Sequence, residues 1–262
     1  MSRRPYLTPL SLARLQAALA TNERAVLEDV AVMRLAVATD LQTLQNLRAP
    51  ISVRHFRRLL AGLNDQDVLS RLERSVGGRA RGSAGYVYGL GRAGQRLLAD
   101  GADVRRPWTP RPSWLAHALA AGHNYVVLRQ LEADKQLRLL KFEAEPTCWR
   151  TFSDAHGPVT LKPDAFVAIE RGDYLDSYFI EVDCATESPT TLLRKCDVYR
   201  RYWQTGAEQR THGVFPRVLW LVPHDRRRQT LRAVFAGLGE ASALHTVARY
   251  DDFARMLIEE PP

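Results

Sequence analysis

The feature that most constrains this chain is a proline-rich segment at residues 105–112, with the sequence RRPWTPRP. Three of its last six residues are proline, which lacks the backbone N–H that a helix interior or a central strand requires. We therefore predict a linker without regular structure at residues 104–112. It divides the 262 residues into a first domain at 1–103 and a second at 113–262, each of ordinary domain size.

Positive charge is concentrated in the first of these domains. The formal net charge of the chain is +8, and 33 of its 37 basic residues are arginine. Residues 1–103 contain 15 arginines, no lysine and 9 acidic residues, so their net charge is +6, against +2 for the remainder. Genome composition can raise the arginine content of any protein, but this uneven distribution predicts a polyanionic partner for the first domain.

Hydrophobic periodicity predicts that the first domain contains helices followed by a hairpin and a closing helix. The predicted elements lie at residues 23–35, 40–47, 53–60, 68–74, 86–90 and 93–98. The two strands of the hairpin are joined by a basic, glycine-rich tip at residues 77–85. This order is typical of a winged helix-turn-helix domain, in which the third helix enters the major groove and the hairpin lies along the phosphates.

The candidate DNA-binding side chains lie on the third helix and in the hairpin tip. They are Arg54, His55, Arg57, Arg58, Arg79 and Arg81. The alternative is a small helical domain with solvated arginines. We favour double-stranded DNA as the partner, because the charges collect on two elements that act together and because arginine bonds both phosphates and guanine edges.

The second domain is predicted to be a mixed sheet with helices on its faces. Helices are expected at residues 113–133, 190–202, 226–237 and 250–258, and strands at 137–143, 164–169, 178–184, 217–222 and 244–248. The expected fold class of the chain is therefore α+β or α/β.

Three carboxylates interrupt these apolar strands, where an unpaired buried charge costs several kcal/mol. Asp164 opens one strand, while Glu181 and Asp183 end the next and, being two residues apart, point to the same side. If the two strands pair, the three acids converge into a hard-oxygen site for Mg²⁺ or Mn²⁺. Lys195 lies one turn into the following helix and can reach the same place. The alternative is that arginines neutralise these acids, the candidates being Arg194, Arg200 and Arg201.

Several short segments occur in a specific order along the chain. They are KPDAF at residues 162–166, FIEVD at 179–183, TES at 186–188, LRKCDVYRRY at 193–202, the glycine-rich tip with the strand and helix that follow it at 77–94, His117, Asn124 and FEAEP at 142–146. Together they resemble the replication-relaxation family of bacterial plasmid and mobile-element proteins, over nearly the whole chain. The resemblance implies that residues 77–94 form the family's wing and closing helix.

The second domain of that family resembles the PD-(D/E)XK restriction-endonuclease-like fold, which takes Asp from one strand and Asp/Glu-x-Lys from the next. Asp164 matches the first acid and Glu181 the second, but Asp183 stands where the lysine belongs. Lys195 is then the candidate replacement, supplied from the helix. The resemblance implies a Mg²⁺-dependent nuclease or nickase acting in plasmid or mobile-element DNA replication, relaxation or mobilisation. The alternative is a non-catalytic DNA-binding accessory or regulatory factor with a degenerate nuclease domain.

The remaining features concern compartment and partners. The three cysteines, Cys148, Cys184 and Cys196, form no CxxC pair, so neither a disulfide framework nor a zinc finger is predicted. No apolar run approaches the roughly 18 residues of a membrane helix, and no stretch of signal-peptide type follows the first residues. We expect a cytoplasmic protein without a membrane partner, and the sequence leaves open a homodimer and contacts with plasmid replication or mobilisation proteins.

Overall fold

A computed structural model describes residues 7–72, 86–99, 112–155 and 157–259. The chain divides into two compact units, Met1–Val126 and Val127–Pro262. The division falls inside a helix, α6 (Pro112–Ala133). The linker predicted at residues 104–112 lies, apart from its last residue, outside the described residues, as does the hairpin tip with Arg79 and Arg81.

The first unit consists of helices and one small sheet. Its elements before α6 are α1 (Pro9–Ala18), α2 (Thr21–Met33), β1 (Leu35–Val37), α3 (Ala38–Arg48), α4 (Val53–Asp65), β2 (Leu69–Leu72), β3 (Val87–Leu90) and α5 (Arg92–Leu98). The strands form an antiparallel sheet in the order β1-β3-β2. The helix predicted at residues 23–35 ends earlier, because Arg34 adopts a φ of 64° and Leu35 begins β1.

Helix α4 shows how the sequence fixes a local element in this unit. The Ser52 hydroxyl caps its first turn by accepting a hydrogen bond from the backbone N–H of His55 at 3.3 Å. Phe56, Leu60 and Leu63 recur at helical spacing and are buried in the core of the unit. The opposite side of α4 therefore faces solvent.

The second unit is built around a five-stranded mixed sheet. Its elements after α6 are β4 (Arg138–Ala144), β5 (Arg150–Asp154), β6 (Gly157–Leu161), β7 (Ala165–Arg171), β8 (Tyr174–Val182), α7 (Pro189–Gln204), α8 (Ala207–His212), β9 (Arg217–Val222), α9 (Asp225–Ala236), β10 (His245–Arg249) and α10 (Phe253–Glu259). The sheet order is β10-β9-β8-β7-β4, and β5 pairs with β6 in a separate hairpin. A mixed sheet with flanking helices confirms the predicted fold class.

Within the sheet, β4, β7 and β8 are antiparallel neighbours, whereas β8, β9 and β10 run parallel. On one face, Phe166 of β7 stands opposite Phe179 of β8, and both belong to a buried cluster with Trp220 of β9. Helix α7 covers this face with Leu192, Cys196, Tyr199 and Tyr202. Across the described ranges, we find no helix with the length and apolar character needed to span a membrane.

Candidate active site and nucleic-acid interface

The first two predicted acids lie opposite each other at the ends of neighbouring strands. The last register pair of β7 and β8 is Ala165 with Ile180, so the next pair outward is Asp164 with Glu181. Both acids are buried. They lie on the α7 side of the sheet, because each is two residues from a phenylalanine of the cluster on that face.

Backbone hydrogen bonds fix the position of Asp164. Its own N–H donates to the Ile180 carbonyl at 3.0 Å, and its Oδ2 accepts from the Val182 N–H at 2.7 Å. The thiol of Cys148 donates to the carbonyl of Pro163, the residue before it, at 3.0 Å. Burial raises the pKa of this thiol to about 12, so it remains protonated at neutral pH.

Both carboxylate oxygens of Glu181 accept hydrogen bonds from α7. Lys195 Nζ lies 3.0 Å from Oε2, and the Tyr199 hydroxyl donates to Oε1 at 2.7 Å. The spacing of four residues puts these two donors on the same face of α7. The helix-borne lysine therefore reaches the second acid directly.

The pKa values of Glu181 and Lys195 depend on burial and on the charges of the neighbouring groups. Burial raises the pKa of Glu181 to about 7, and Asp164 acts in the same direction, while Lys195 and Tyr199 lower it. Burial lowers the pKa of Lys195, but the Glu181 and Asp164 carboxylates outweigh this, so its pKa is raised above the ordinary value. Lys195 is therefore a cation at neutral pH.

Glu187, in the loop before α7, also contacts the ammonium of Lys195. Glu187 Oε1 lies 2.9 Å from Lys195 Nζ, while its Oε2 is buried and has no hydrogen-bond partner among the described residues. Sequence analysis did not single out Glu187 as a site residue, since a loop acid two residues before the start of a helix gives no distinctive pattern.

Asp183, the third predicted acid, is turned toward a different cation. It lies one residue beyond the end of β8, is buried, and accepts from Arg227 Nε of α9 at 2.6 Å through Oδ2. Its Oδ1 accepts from the Ala185 N–H at 2.6 Å. Arg227 also donates to the carbonyl of Glu187 at 2.8 Å. Both oxygens of Asp183 are thus occupied by groups of the chain itself.

The arrangement of the acids bears on the predicted metal site. Within the described residues, no group of three or more histidine, cysteine, aspartate or glutamate side chains is placed to hold a metal ion. The structure brings together Asp164, Glu181 and Lys195, whereas Asp183 is paired with Arg227. Of the three arginines considered as neutralising partners, Arg200 pairs with Asp197 and Arg201 with Asp154, while Arg194 is exposed on α7.

The predicted DNA-contacting residues of the first unit form an exposed basic face on α4. They are Arg54, His55, Arg57 and Arg58, all exposed. They lie on the side of the helix opposite Phe56, Leu60 and Leu63. Their placement follows from the same helical periodicity that buries the apolar residues.

A groove of about 770 Å³ borders this face, between α3, α4 and the β2–β3 pair. Arg57 and Asn64 line it from α4, and Arg71 and Tyr86 line it from the strand side. The Arg71 guanidinium lies over the Tyr86 ring, 4.4 Å from its centroid. Sequence analysis did not single out Arg71 and Tyr86, which flank the basic hairpin tip at residues 77–85.

Comparison with protein families gives a match over most of the chain. The family profile described as replication-relaxation matches residues 15–218, which is more than three quarters of the chain. The chain belongs to the replication-relaxation family. No similar curated protein and no similar solved structure was found.

The matched region of this replication-relaxation protein includes most of the candidate site. Asp164, Glu181, Asp183 and Lys195 all lie within it, as does the basic face of α4. Arg227, which holds Asp183, lies beyond its end. The family match therefore covers the acids and the lysine but not the cation that fixes Asp183.

Proposed function

We propose that this replication-relaxation protein binds double-stranded DNA through a winged helix in its first unit and carries a Mg²⁺-dependent phosphodiesterase site of the PD-(D/E)XK type in its second. Its substrate would be plasmid or other mobile-element DNA. One observation carries the proposal: Asp164 and Glu181 stand opposite each other at the ends of β7 and β8, with Lys195 Nζ 3.0 Å from Glu181.

The order of elements supports both halves of the proposal. The sequence α2-β1-α3-α4-β2-β3 with a three-stranded sheet is compatible with a winged helix-turn-helix, in which α4 is the recognition helix. Arg79 and Arg81, in the hairpin tip outside the described residues, complete the proposed set of DNA contacts. In the second unit, the order β4-β5-β6-β7-β8-α7 places the first acid before one strand and the second acid near the end of its neighbour.

The donor chemistry of the site fits Mg²⁺ or Mn²⁺. Asp164 and Glu181 supply hard carboxylate oxygens from opposing positions. Asp183 is left out of the ligand set that we propose here, because its partner Arg227 is buried, whereas Lys195, the partner of Glu181, is 32% exposed and can move away. When bound, the metal would lower the pKa of a water molecule and stabilise charge on the departing oxygen.

The protein's own groups have distinct roles in this proposal. The Val182 N–H orients Asp164, and Tyr199 orients Glu181, so that both carboxylates are preorganised. Lys195 supplies the positive charge that faces the scissile phosphate. The arginines of α4 hold the duplex, because each neutralised phosphate releases condensed counterions.

A second candidate function is a DNA-binding accessory factor without catalysis. It is favoured by the pairing of both strand-end acids, Glu181 with Lys195 and Asp183 with Arg227. Such pairs satisfy buried carboxylates without a metal. The two candidates differ in whether the acids act on a phosphodiester.

A plasmid-nicking assay separates them. Supercoiled plasmid is incubated with the protein in the presence and absence of Mg²⁺, and duplex binding is measured in parallel by fluorescence anisotropy. We expect Mg²⁺-dependent nicking by the wild type, its loss in Asp164→Ala and Glu181→Ala, and a rate lower by about 100-fold in Lys195→Ala, on the scale of one lost transition-state donor. Duplex binding should be nearly unchanged in all three variants.

The matched control is Asp173→Ala, which removes an exposed acid of the same unit and should leave nicking unchanged. Binding without nicking by a folded wild-type protein would support the accessory function. Equal nicking by wild type and Glu181→Ala would show that the activity does not come from this site.

A further inference from the structure

The ammonium of Lys195 is surrounded by groups that attract a cation. Its Nζ lies 3.0 Å from Glu181 Oε2 and 2.9 Å from Glu187 Oε1. It also lies 5.7 Å from the centroid of the Trp220 ring, whose face attracts positive charge. Two carboxylates and an indole ring thus surround one charge that belongs to the chain.

In this arrangement each carboxylate oxygen of Glu181 already has a donor of the chain beside it. Its Oε1 accepts from Tyr199, a fully buried side chain, and its Oε2 accepts from Lys195. A divalent ion shared by Asp164 and Glu181 would stand beside the Lys195 ammonium, and the repulsion between the two cations favours departure of the ammonium from Oε2. Lys195 is the donor able to move, because its side chain is 32% exposed and flexible.

We propose that Lys195 is an internal cation that competes with the divalent metal for Glu181, so that metal binding and release of the lysine are one coupled event. This rests on the metal site of the proposed function. The ammonium leaves Oε2 when the metal arrives and is retained by Glu187.

Glu187 is placed to retain the released ammonium. Its backbone carbonyl is held by Arg227 Nη2 at 2.8 Å, which ties the loop before α7 to α9. Its Oε2 has no hydrogen-bond partner within the described residues and can accept a second bond from the same ammonium. Lys195 would then stay beside the site and face the phosphate, and its ammonium would no longer be paired with Glu181.

The first test measures metal affinity without any reaction. Free Mn²⁺ is followed by electron paramagnetic resonance during titration of the full chain. Lys195→Gln should bind Mn²⁺ about 10-fold more tightly than the wild type, because the competing charge beside Glu181 is gone. Glu181→Gln should lose the site.

Arg194→Gln is the matched control. It removes a neighbouring positive charge from the same helix, but Arg194 is exposed on α7. Its Mn²⁺ affinity should change by less than about twofold, since an exposed charge is screened by solvent. An equal gain in Arg194→Gln and Lys195→Gln would mean that net charge, and not occupation of the site, sets the affinity, and would overturn the proposal.

A second measurement uses the wild-type protein and does not depend on the folding of a variant. The chain has four lysines, of which Lys135, Lys141 and Lys162 are exposed. In protein labelled with carbon-13 at the lysine ε position, the Lys195 signal should shift on addition of Mg²⁺ while the other three stay in place. The signal is assigned by replacing the three exposed lysines.

The outcomes distinguish this proposal from the proposed function. Metal binding of equal strength in wild type and Lys195→Gln, with an unmoved Lys195 signal, would overturn the competition but leave the metal site standing. Absence of Mn²⁺ binding in wild type and Lys195→Gln alike would remove the metal site itself, and the coupling with it.

Discussion

Gly94 allows the close approach of α5 to the backbone before β2. A Cβ atom added at Gly94 would lie 2.1 Å from the carbonyl oxygen of Val68, a distance that requires the backbone to shift. The N-terminus of α5 is fixed at the same place, because the Ala93 N–H donates to the Asp67 carbonyl at 2.9 Å. We expect Gly94→Ala to lower the free energy of unfolding by about 2 kcal/mol, measured by urea denaturation.

Gly62 provides the matched control for this prediction. It also lies within a helix, α4, but a Cβ atom there would meet nothing within 4 Å. Gly62→Ala should leave the stability unchanged or raise it by about 0.5–1 kcal/mol, because alanine loses less conformational entropy in a helix. Similar destabilisation by both substitutions would contradict the contact at Val68.

At the scale of single residues, sequence reasoning located the acids but not all of their partners. The strand-end positions of Asp164 and Glu181 follow from hydrophobic patterning, and Lys195 lies close enough along the chain for its reach to be anticipated. Arg227 lies 44 residues from Asp183 along the chain. It contacts Asp183 because β9 lies next to β8 in the sheet and α9 follows β9. The arginines near in sequence were therefore the wrong place to look for the partner of Asp183.

At the scale of elements, α4 and the neighbouring hairpin strands carry the proposed DNA contacts. Replacing Arg54 and Arg57 together by alanine should weaken duplex binding and flatten its salt dependence by about one unit per lost phosphate contact. Arg71→Ala should add a similar loss, because Arg71 borders the same groove as Arg57. The measurement is fluorescence anisotropy with labelled duplexes at several salt concentrations.

Arg14→Ala controls for the loss of charge, since Arg14 is exposed on α1 outside this face. The affinity of the Arg14→Ala protein for duplex DNA should remain close to that of the wild type. If the α4 variants bind as tightly as Arg14→Ala, the DNA-binding surface lies elsewhere. A changed preference among duplex sequences for the Arg54 and Arg57 variants would indicate that α4 reads base edges.

The elements that sequence analysis predicted best are those with a long, regular pattern. The apolar run at residues 217–222 coincides with β9, and Ser52 caps α4 as expected. The three-residue strand β1 was missed because so short a segment shows no periodicity. The β5–β6 hairpin was missed because its strands are partly exposed and stand apart from the main sheet.

At the scale of the whole molecule, the excess of positive charge and the candidate chemical site fall in different units. The basic residues 1–103 favour a polyanion, whereas the strand-end acids of the second unit are balanced by its own cations. The proposal therefore assigns affinity to one unit and chemistry to the other. Within the second unit, Asp183 is the residue that departs from the PD-(D/E)XK pattern, because it stands where that pattern places lysine.

Replacing Asp183 alone would not be a clean test of that pattern. Its carboxylate and the Arg227 guanidinium are both buried, 2.6 Å apart. Asp183→Lys would put two positive charges in contact away from water, so we expect several kcal/mol of destabilisation in urea unfolding. An inactive Asp183→Lys protein would then report on stability and not on catalysis.

The charge-swapped variant Asp183→Lys/Arg227→Glu avoids this problem. It keeps one positive and one negative charge in contact, and an acid in the first turn of α9 is favoured by the helix dipole. We expect its free energy of unfolding to lie within about 2 kcal/mol of the wild type. In the plasmid-nicking assay, a lysine at position 183 should raise the Mg²⁺-dependent rate if the site is of the PD-(D/E)XK type. Nicking by the swapped variant together with an inactive wild type would establish the natural protein as a degenerate nuclease. A folded swapped variant that nicks no faster than an active wild type would indicate that Lys195 already fills the lysine's role.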